Sequence, residues 1–179
     1  GTLVSKSGQA LFLSLIPISE PTRLGLTWNA VFRLKKKKLR TRLADESVID
    51  KPFSVIMWDI DDFKRVNDED GHGQGDLVLK GISDYIVSEF GGYSRLSRWG
   101  GEEFIVMLDD YSCKEAVVIA GKIRVGVESL KFHNNRSVTI SLGVTCRRKD
   151  DTFSSLLLRV DHLMYEAKHN GKNQVVASE

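Results

Sequence analysis

Asp59-Ile60-Asp61-Asp62 and Gly100-Gly101-Glu102-Glu103 each place acidic side chains beside an apolar run. Carboxylates gathered in this way suit a hard divalent cation, which takes one or two of them and fills its other positions with carbonyl and phosphate oxygens. Asp59 and Glu102 are the candidate metal ligands, with the Ile60 carbonyl as a further donor, provided the two runs are neighbours in one sheet. Gly100 and Gly101 leave bare backbone at the tip, against which a polyphosphate can lie. Adjacent Glu102 and Glu103 repel each other, a cost that a cation or a proton removes. A plain surface turn with two solvated acids also accounts for this tip. Asp61 reads most simply as the cap of a helix opening at Asp62-Phe63-Lys64.

Other motifs narrow the chemistry by exclusion. An EF-hand needs an oxygen ligand and a glycine where Phe63 and Lys64 follow Asp59-x-Asp61. The stretch Gly71-His72-Gly73-Gln74-Gly75-Asp76 lacks the Gly-x-Gly-x-x-Gly spacing and follows a helical segment, so it is no dinucleotide fingerprint; no Walker A sequence occurs. It is expected to interrupt the chain and expose Asp76, whose carboxylate can accept from a guanine N1–H and exocyclic amine, while Asn67 offers a donor and an acceptor. Cap and turn roles explain both residues as well. His72 reads as a packed or hydrogen-bonded histidine, because no second His or Cys stands at a metal spacing. Lys168 and Lys172 lie four apart at a helix end, where lysines ordinarily complement the helix dipole and gain a second use beside a triphosphate.

These groups need a scaffold. Phe53 to Trp58 reads as a strand, Phe63 to Asn67 as helical, and Leu77 to Phe90 as an amphipathic helix. Tyr93 to Trp99 and Phe104 to Leu108 read as the strands of a hairpin. A helix from Lys114 to Leu130, a strand from Val138 to Cys146, a helix from Phe153 to His169 and a strand from Gln174 to Ala177 complete an alternating α/β chain. At 179 residues and 41% hydrophobic content the chain builds one core. Its net charge of +2, from 26 basic and 24 acidic residues, is too balanced to argue for nucleic-acid or membrane-surface binding, so local charge carries any such argument. Cys113 and Cys146 fit neither a disulfide framework nor a CxxC metal site, and read as buried small hydrophobes in a reducing, cytoplasmic compartment. The apolar stretch Ala10 to Ile18 is too short to span a bilayer and lacks a cleavage pattern.

Residues 1–23 show no sustained periodicity, and Leu13 to Arg23 resembles, at all but one position, the translation of a transposase sequencing adapter. This tail is read as foreign to the domain, an assembly artefact. Trp28 to Leu43 reads as a basic amphipathic helix whose lysine run, Lys35 to Lys38, faces solvent.

Taken together, Asp59-Ile60-Asp61-Asp62-Phe63-Lys64, Asn67-Asp68, Gly71-His72, Gly75-Asp76 and Arg98-Trp99-Gly100-Gly101-Glu102-Glu103-Phe104 strongly resemble the GGDEF family of diguanylate cyclases, in its GGEEF variant. The resemblance runs from Phe53 to Val176 and divides the chain into residues 24–51, a degenerate N-terminal helix, and residues 52–179, a catalytic core. It implies an α/β (α+β) domain with a central, mostly antiparallel sheet flanked by helices, similar to the palm of polymerases and nucleotide cyclases. It implies further that two facing domains, each with one GTP, condense them into cyclic di-GMP and release pyrophosphate. Carried over, Asp59, the Ile60 carbonyl and Glu102 bind Mg²⁺ or Mn²⁺, and Glu102 or Glu103 helps to deprotonate the attacking 3′-hydroxyl. Asn67 and Asp76 read guanine, and Lys64, Lys168 and Lys172 hold phosphates. The partners implied are GTP, a second copy of the domain and an upstream sensory or dimerising module. A catalytically silent, GTP-binding regulatory domain is the alternative within the same family. Two departures stand out. Gly91 and Ser94 occupy the positions of the family's Arg-x-x-Asp inhibitory site, so product inhibition there is expected to be absent. The family's opening motif survives only as Leu24-Gly25-Leu26-Thr27-Trp28-Asn29.

Overall fold

Phe53–Ile60 forms strand β1, and all of its residues are buried, as in a strand covered on both faces. The computed structural model describes Thr41 and residues 51–90 and 95–178. The tail, the N-terminal helix, and the Gly91 and Ser94 positions lie outside the described residues. Further strands are Arg95–Gly100 (β2), Glu103–Asp109 (β3), Ile140–Cys146 (β4) and Val175–Ser178 (β5). They form one sheet in the order β2-β3-β1-β4-β5. β1 runs antiparallel to both β3 and β4, and β2 runs antiparallel to β3; among the described residues only the β4–β5 pairing is parallel. The mostly antiparallel sheet expected from the sequence is therefore observed.

Among the described residues from Lys51 onwards, four α-helices cover this sheet: Phe63–Asp70 (α1), His72–Phe90 (α2), Cys113–Ser129 (α3) and Phe153–His169 (α4). The two-residue period of β1 assigns them to faces. Ile56, Trp58 and Ile60 pack with Val66, Val78, Ile82 and Ile123 from the first three helices, and Trp58 stacks on Phe104 at 5.5 Å. Val55 and Met57 pack on the other side against Leu156, Val160 and Met164 of α4. Helix starts follow local chemistry. Ser112 and Glu115 form a reciprocal capping box at α3, and Thr152 and Ser155 form one at α4.

Two local expectations are corrected. The α2 helix begins at His72, five residues before the expected start, so only Gly71 lies outside helices and closes α1 with φ 86°. Cys113 is buried as expected, whereas Cys146, at the end of β4, is half-buried. Among the described residues no helix is long and apolar enough to cross a membrane.

Candidate active site

The alternation that puts Val55 and Met57 on the α4 face puts Asp59 there too. The register sets Asp59 opposite Glu103 of β3 and opposite Ser141 of β4. Glu103 shares its parity with Ile105 and Met107, which also face α4. Two carboxylates thus meet across neighbouring strands, an arrangement that costs stability without a counter-charge. Lys168, in the last turn of α4, supplies one: its Nζ lies 2.6 Å from Asp59 Oδ1. Burial nevertheless raises the Asp59 pKa above the usual carboxylate value against the pull of Lys168, and the charges of Glu102 and Asp61 add to the rise. Burial likewise raises Glu103, with Asp59, Asp161 and Glu102 pushing the same way and Lys168 opposing.

Gly101 and Glu102 form the turn between β2 and β3, and Gly100 pairs with Glu103. A register shift at Trp99 lets its indole pack into the α4-side core. Arg98 closes the turn, its Nε donating to the Gly101 carbonyl at 2.6 Å. Burial lowers the Arg98 pKa while Asp76 and Glu102 act against that fall, so Asp76 of α2 lies within electrostatic reach of the hairpin. At Gly75 a side chain would displace Asn67: a Cβ would stand 2.0 Å from Asn67 Oδ1 and 3.1 Å from Phe63 Cζ. Asn67 therefore packs on the residue preceding exposed Asp76.

Asp61 does not cap α1. The cap position is held by Asp62, at φ 54°, without a side-chain cap bond. Asp61 is buried and accepts from Thr139 Oγ1 at 2.7 Å, Ser141 Oγ at 2.6 Å and the Asn173 N–H at 3.1 Å. Ser141 and Thr139, on or beside β4, offer hydroxyls that a carboxylate at the end of the adjacent strand can reach, which overrides the cap preference.

Of the residues singled out from sequence, Asp59, Glu102, Glu103 and Lys168 come together at one sheet end. Ile60 closes β1 with its side chain buried on the opposite face. Lys172 pairs instead with Asp62, Nζ to Oδ1 at 2.6 Å, and that lysine holds the Asp62 carboxyl below its ordinary range. Lys64 is exposed on α1. Arg98 and Asp161 were not singled out. Asp161 stands seven residues before Lys168, two helical turns along the same face, and that spacing was its signal. Among the described residues no three acidic, His or Cys side chains enclose a metal by themselves. The donor set fits a hard cation that brings phosphate oxygens with it, since the carboxylates at the sheet end are acidic oxygen donors and one of them, Asp59, already holds an ammonium.

Residues 32–174 match the family model of the diguanylate cyclase GGDEF domain. The chain is 41% identical over 129 residues to diguanylate cyclase A of Treponema denticola, covering 70% of this chain and 35% of that protein. Identity with the response regulator PleD of Caulobacter vibrioides is 39% over 131 residues, covering 70% of this chain and 29% of that protein. The chain spans about a third of the length of these curated relatives. The active GGEEF domain of a diguanylate cyclase from Vibrio cholerae superposes with a TM-score of 0.77 at 30% identity, covering 82% of this chain and 96% of that one. The GGDEF domain of DgcB from Caulobacter crescentus, in complex with c-di-GMP, gives a TM-score of 0.77 at 28% identity over 84% and 89% of the two chains.

Proposed function

Because the chain belongs to the GGDEF family of diguanylate cyclases, we propose that it condenses two GTP into cyclic di-GMP at the interface of two facing copies. In each half-reaction a 3′-hydroxyl oxygen of one GTP bonds to the α-phosphorus of the other. The bond to pyrophosphate breaks, and the hydroxyl proton passes to a carboxylate. Two such steps close the ring and release two pyrophosphates.

The observation that carries this reading is the meeting of Asp59 and Glu103 across β1 and β3, with Glu102 in the adjoining turn and Lys168 above. Glu103, whose pKa is raised by burial and by its acidic neighbours, suits the role of proton acceptor, as does Glu102 beside it. Asp59, the Ile60 carbonyl and Glu102 would hold Mg²⁺ or Mn²⁺, which lowers the hydroxyl pKa and neutralises phosphate charge when bound. Lys168 can turn from Asp59 to a phosphate oxygen, and Lys64 and Lys172 approach the same triphosphate from α1 and from the segment after α4. The bare backbone of Gly100 and Gly101 lets the phosphates lie close to the hairpin. Asn67 and Asp76 read the guanine edge. Cytoplasmic placement and a controlling sensory or dimerising module belong to the same proposal. So does freedom from product inhibition at Gly91 and Ser94.

The test is chromatographic. The chain incubated with GTP and Mg²⁺ is expected to yield cyclic di-GMP and its linear intermediate, and Glu102→Gln neither. GTP binding without product in the parent would move the reading to a GTP-binding regulatory domain.

A further inference from the structure

The segment after α4 has an unusual backbone. Gly171, Lys172 and Asn173 have φ of 109°, 63° and 46°, so two residues with side chains sit in succession in the left-handed region that favours glycine. Such a conformation persists only where its surroundings hold it. From α3, Arg124 Nη1 donates to Asn173 Oδ1 at 2.8 Å, and Asn173 Nδ2 donates to Glu128 Oε1 at 2.9 Å. From α4, the Ala167 carbonyl accepts from the Lys172 N–H at 3.0 Å. From the end of β1, the Asp61 carboxylate accepts the Asn173 N–H at 3.1 Å. The last contact ties Asn173, the residue after Lys172, to the residue that follows the strand carrying Asp59.

We propose that Asp61 is a positioning residue of the nucleotide site: its buried carboxylate clamps the 171–173 segment to β1 and β4 and thereby fixes where Lys172 stands. The inference rests on the reading of Lys172 as a phosphate-holding residue. Asp61 is suited to the task because one carboxylate serves both partners. Its Oδ1 accepts from Ser141, and its Oδ2 accepts from Thr139 and from Asn173 together. Its own N–H donates to the Thr139 carbonyl at 2.9 Å, which fixes the carboxylate relative to β4. Lys172, meanwhile, pairs with Asp62, the residue adjacent to Asp61. The lysine that would hold a phosphate and the carboxylates at the end of β1 therefore belong to one connected structure.

A clamp and a charge behave differently on substitution. In Asp61→Asn an amide oxygen at the Oδ2 position still accepts from the Asn173 N–H and from Thr139 Oγ1, and the Ser141 hydroxyl can rotate to accept from the amide nitrogen. In Asp61→Ala nothing replaces the bond. Two measurements on the full chain test the proposal. In the nucleotide-free protein, amide hydrogen exchange over residues 171–174 is expected to accelerate in Asp61→Ala and to stay near the parent rate in Asp61→Asn. In equilibrium GTP binding, Asp61→Ala is expected to raise the dissociation constant on the order of tenfold, the scale of one lost charge-assisted hydrogen bond. In a Lys172→Ala background the same substitution is expected to add less than about twofold, the coupling of a residue that acts through another. Where Asp61→Ala does not fold, Asp61→Ser enters the same cycle, since its shorter side chain stops short of Asn173. Unchanged exchange, or losses in GTP affinity that simply multiply, would overturn the proposal and leave Asp61 as a satisfier of buried hydroxyls. Loss of GTP binding in Asp61→Asn equal to that in Asp61→Ala would also overturn it, in favour of a charge effect. A parent chain that binds no GTP would sink the cyclase reading by itself; exchange at Asn173 would then decide the clamp alone.

Discussion

Asp59 and Glu103 form a like-charged pair across two strands, and the folded chain bears a cost for keeping both ionised. Each carboxyl has its pKa raised on folding, burial being the first cause. The folded state therefore holds protons that the unfolded state has released. Stability from this pair is greatest below the ordinary carboxylate range and falls as pH rises from there through the raised values. Glu103→Gln removes one of the two charges. In metal-free solution at pH 8 it is expected to raise the melting temperature by a few degrees, corresponding to about 1 kcal/mol, with the gain fading towards pH 4 and product formation suppressed. Lys168→Met has the opposite sign, because it leaves buried Asp59 without its ammonium, and should cost about 1–2 kcal/mol after allowing for the partial exposure of the lysine. Added Mg²⁺ is expected to restore more of that loss at pH 8 than at pH 5. Thermal melts of the three proteins across that pH range check both signs. A Glu103→Gln protein less stable than the parent at pH 8 would mean that the pair is not under charge strain.

At the scale of elements, the site depends on how closely α4 lies on β4. Gly143 sits in β4 on the α4 face, and a Cβ there would stand 2.4 Å from the Val160 carbonyl oxygen and 2.5 Å from the Met164 nitrogen. Both contacts are backbone, so neither yields by a rotamer change. Gly143→Ala must push the helix away, at a cost of about 2 kcal/mol, and it moves Lys168 with the helix. Urea denaturation and the KM for GTP are both expected to register the change; a shift in stability alone would show that the lysine follows the sheet independently of α4. Much of this architecture was legible in the sequence. The strands stood out because buried apolar runs punctuated by Gly-Gly have few other solutions, and the α4 boundaries followed from an amphipathic period closed by Asn170-Gly171. The first turn of α2 was hidden, because Gly73 and Gly75 read as loop until Asn67 and Phe63 are seen packed against Gly75. Asp61 was misread because a helix cap and a buried acceptor leave the same mark, an aspartate before a helix. Its partners at Thr139, Ser141 and Asn173 are brought to it only by the sheet. The same holds for Asp161 and Glu103, whose electrostatic interaction depends on α4 packing against the sheet. Carboxylate clusters assembled from distant segments are visible in sequence as parts, while the charge strain that defines their chemistry exists only once the strands pair.

For the whole molecule, the decisive property is how many copies a turnover needs. The proposed site gathers its phosphate-holding lysines, guanine-reading groups and metal-binding carboxylates around one nucleotide. A single GTP so held has an electrophilic α-phosphorus but no second ribose within reach, and attack by its own 3′-hydroxyl would give a 3′,5′-cyclic mononucleotide, not a cyclic dinucleotide. The nucleophile must come on a second copy, and binding energy from both domains is then spent on alignment. Each copy also carries the negative charge of its triphosphate towards the other, and a net protein charge of +2 offsets little of it. Association of the loaded domains is therefore expected to be weak unless something outside the domain holds them together. In that regime the initial rate rises with the square of enzyme concentration, so halving the enzyme should cut the rate about fourfold while GTP binding per chain is unchanged. Fusing the chain to a parallel two-stranded coiled coil is expected to make the rate linear in enzyme, because the second copy is then supplied at high effective concentration. Initial rates over a hundredfold range of enzyme, read beside sedimentation at the same concentrations, separate the possibilities. A linear rate from a chain that sediments as a monomer throughout would exclude the facing-domains mechanism, for then one domain would have to supply both the hydroxyl and the phosphorus.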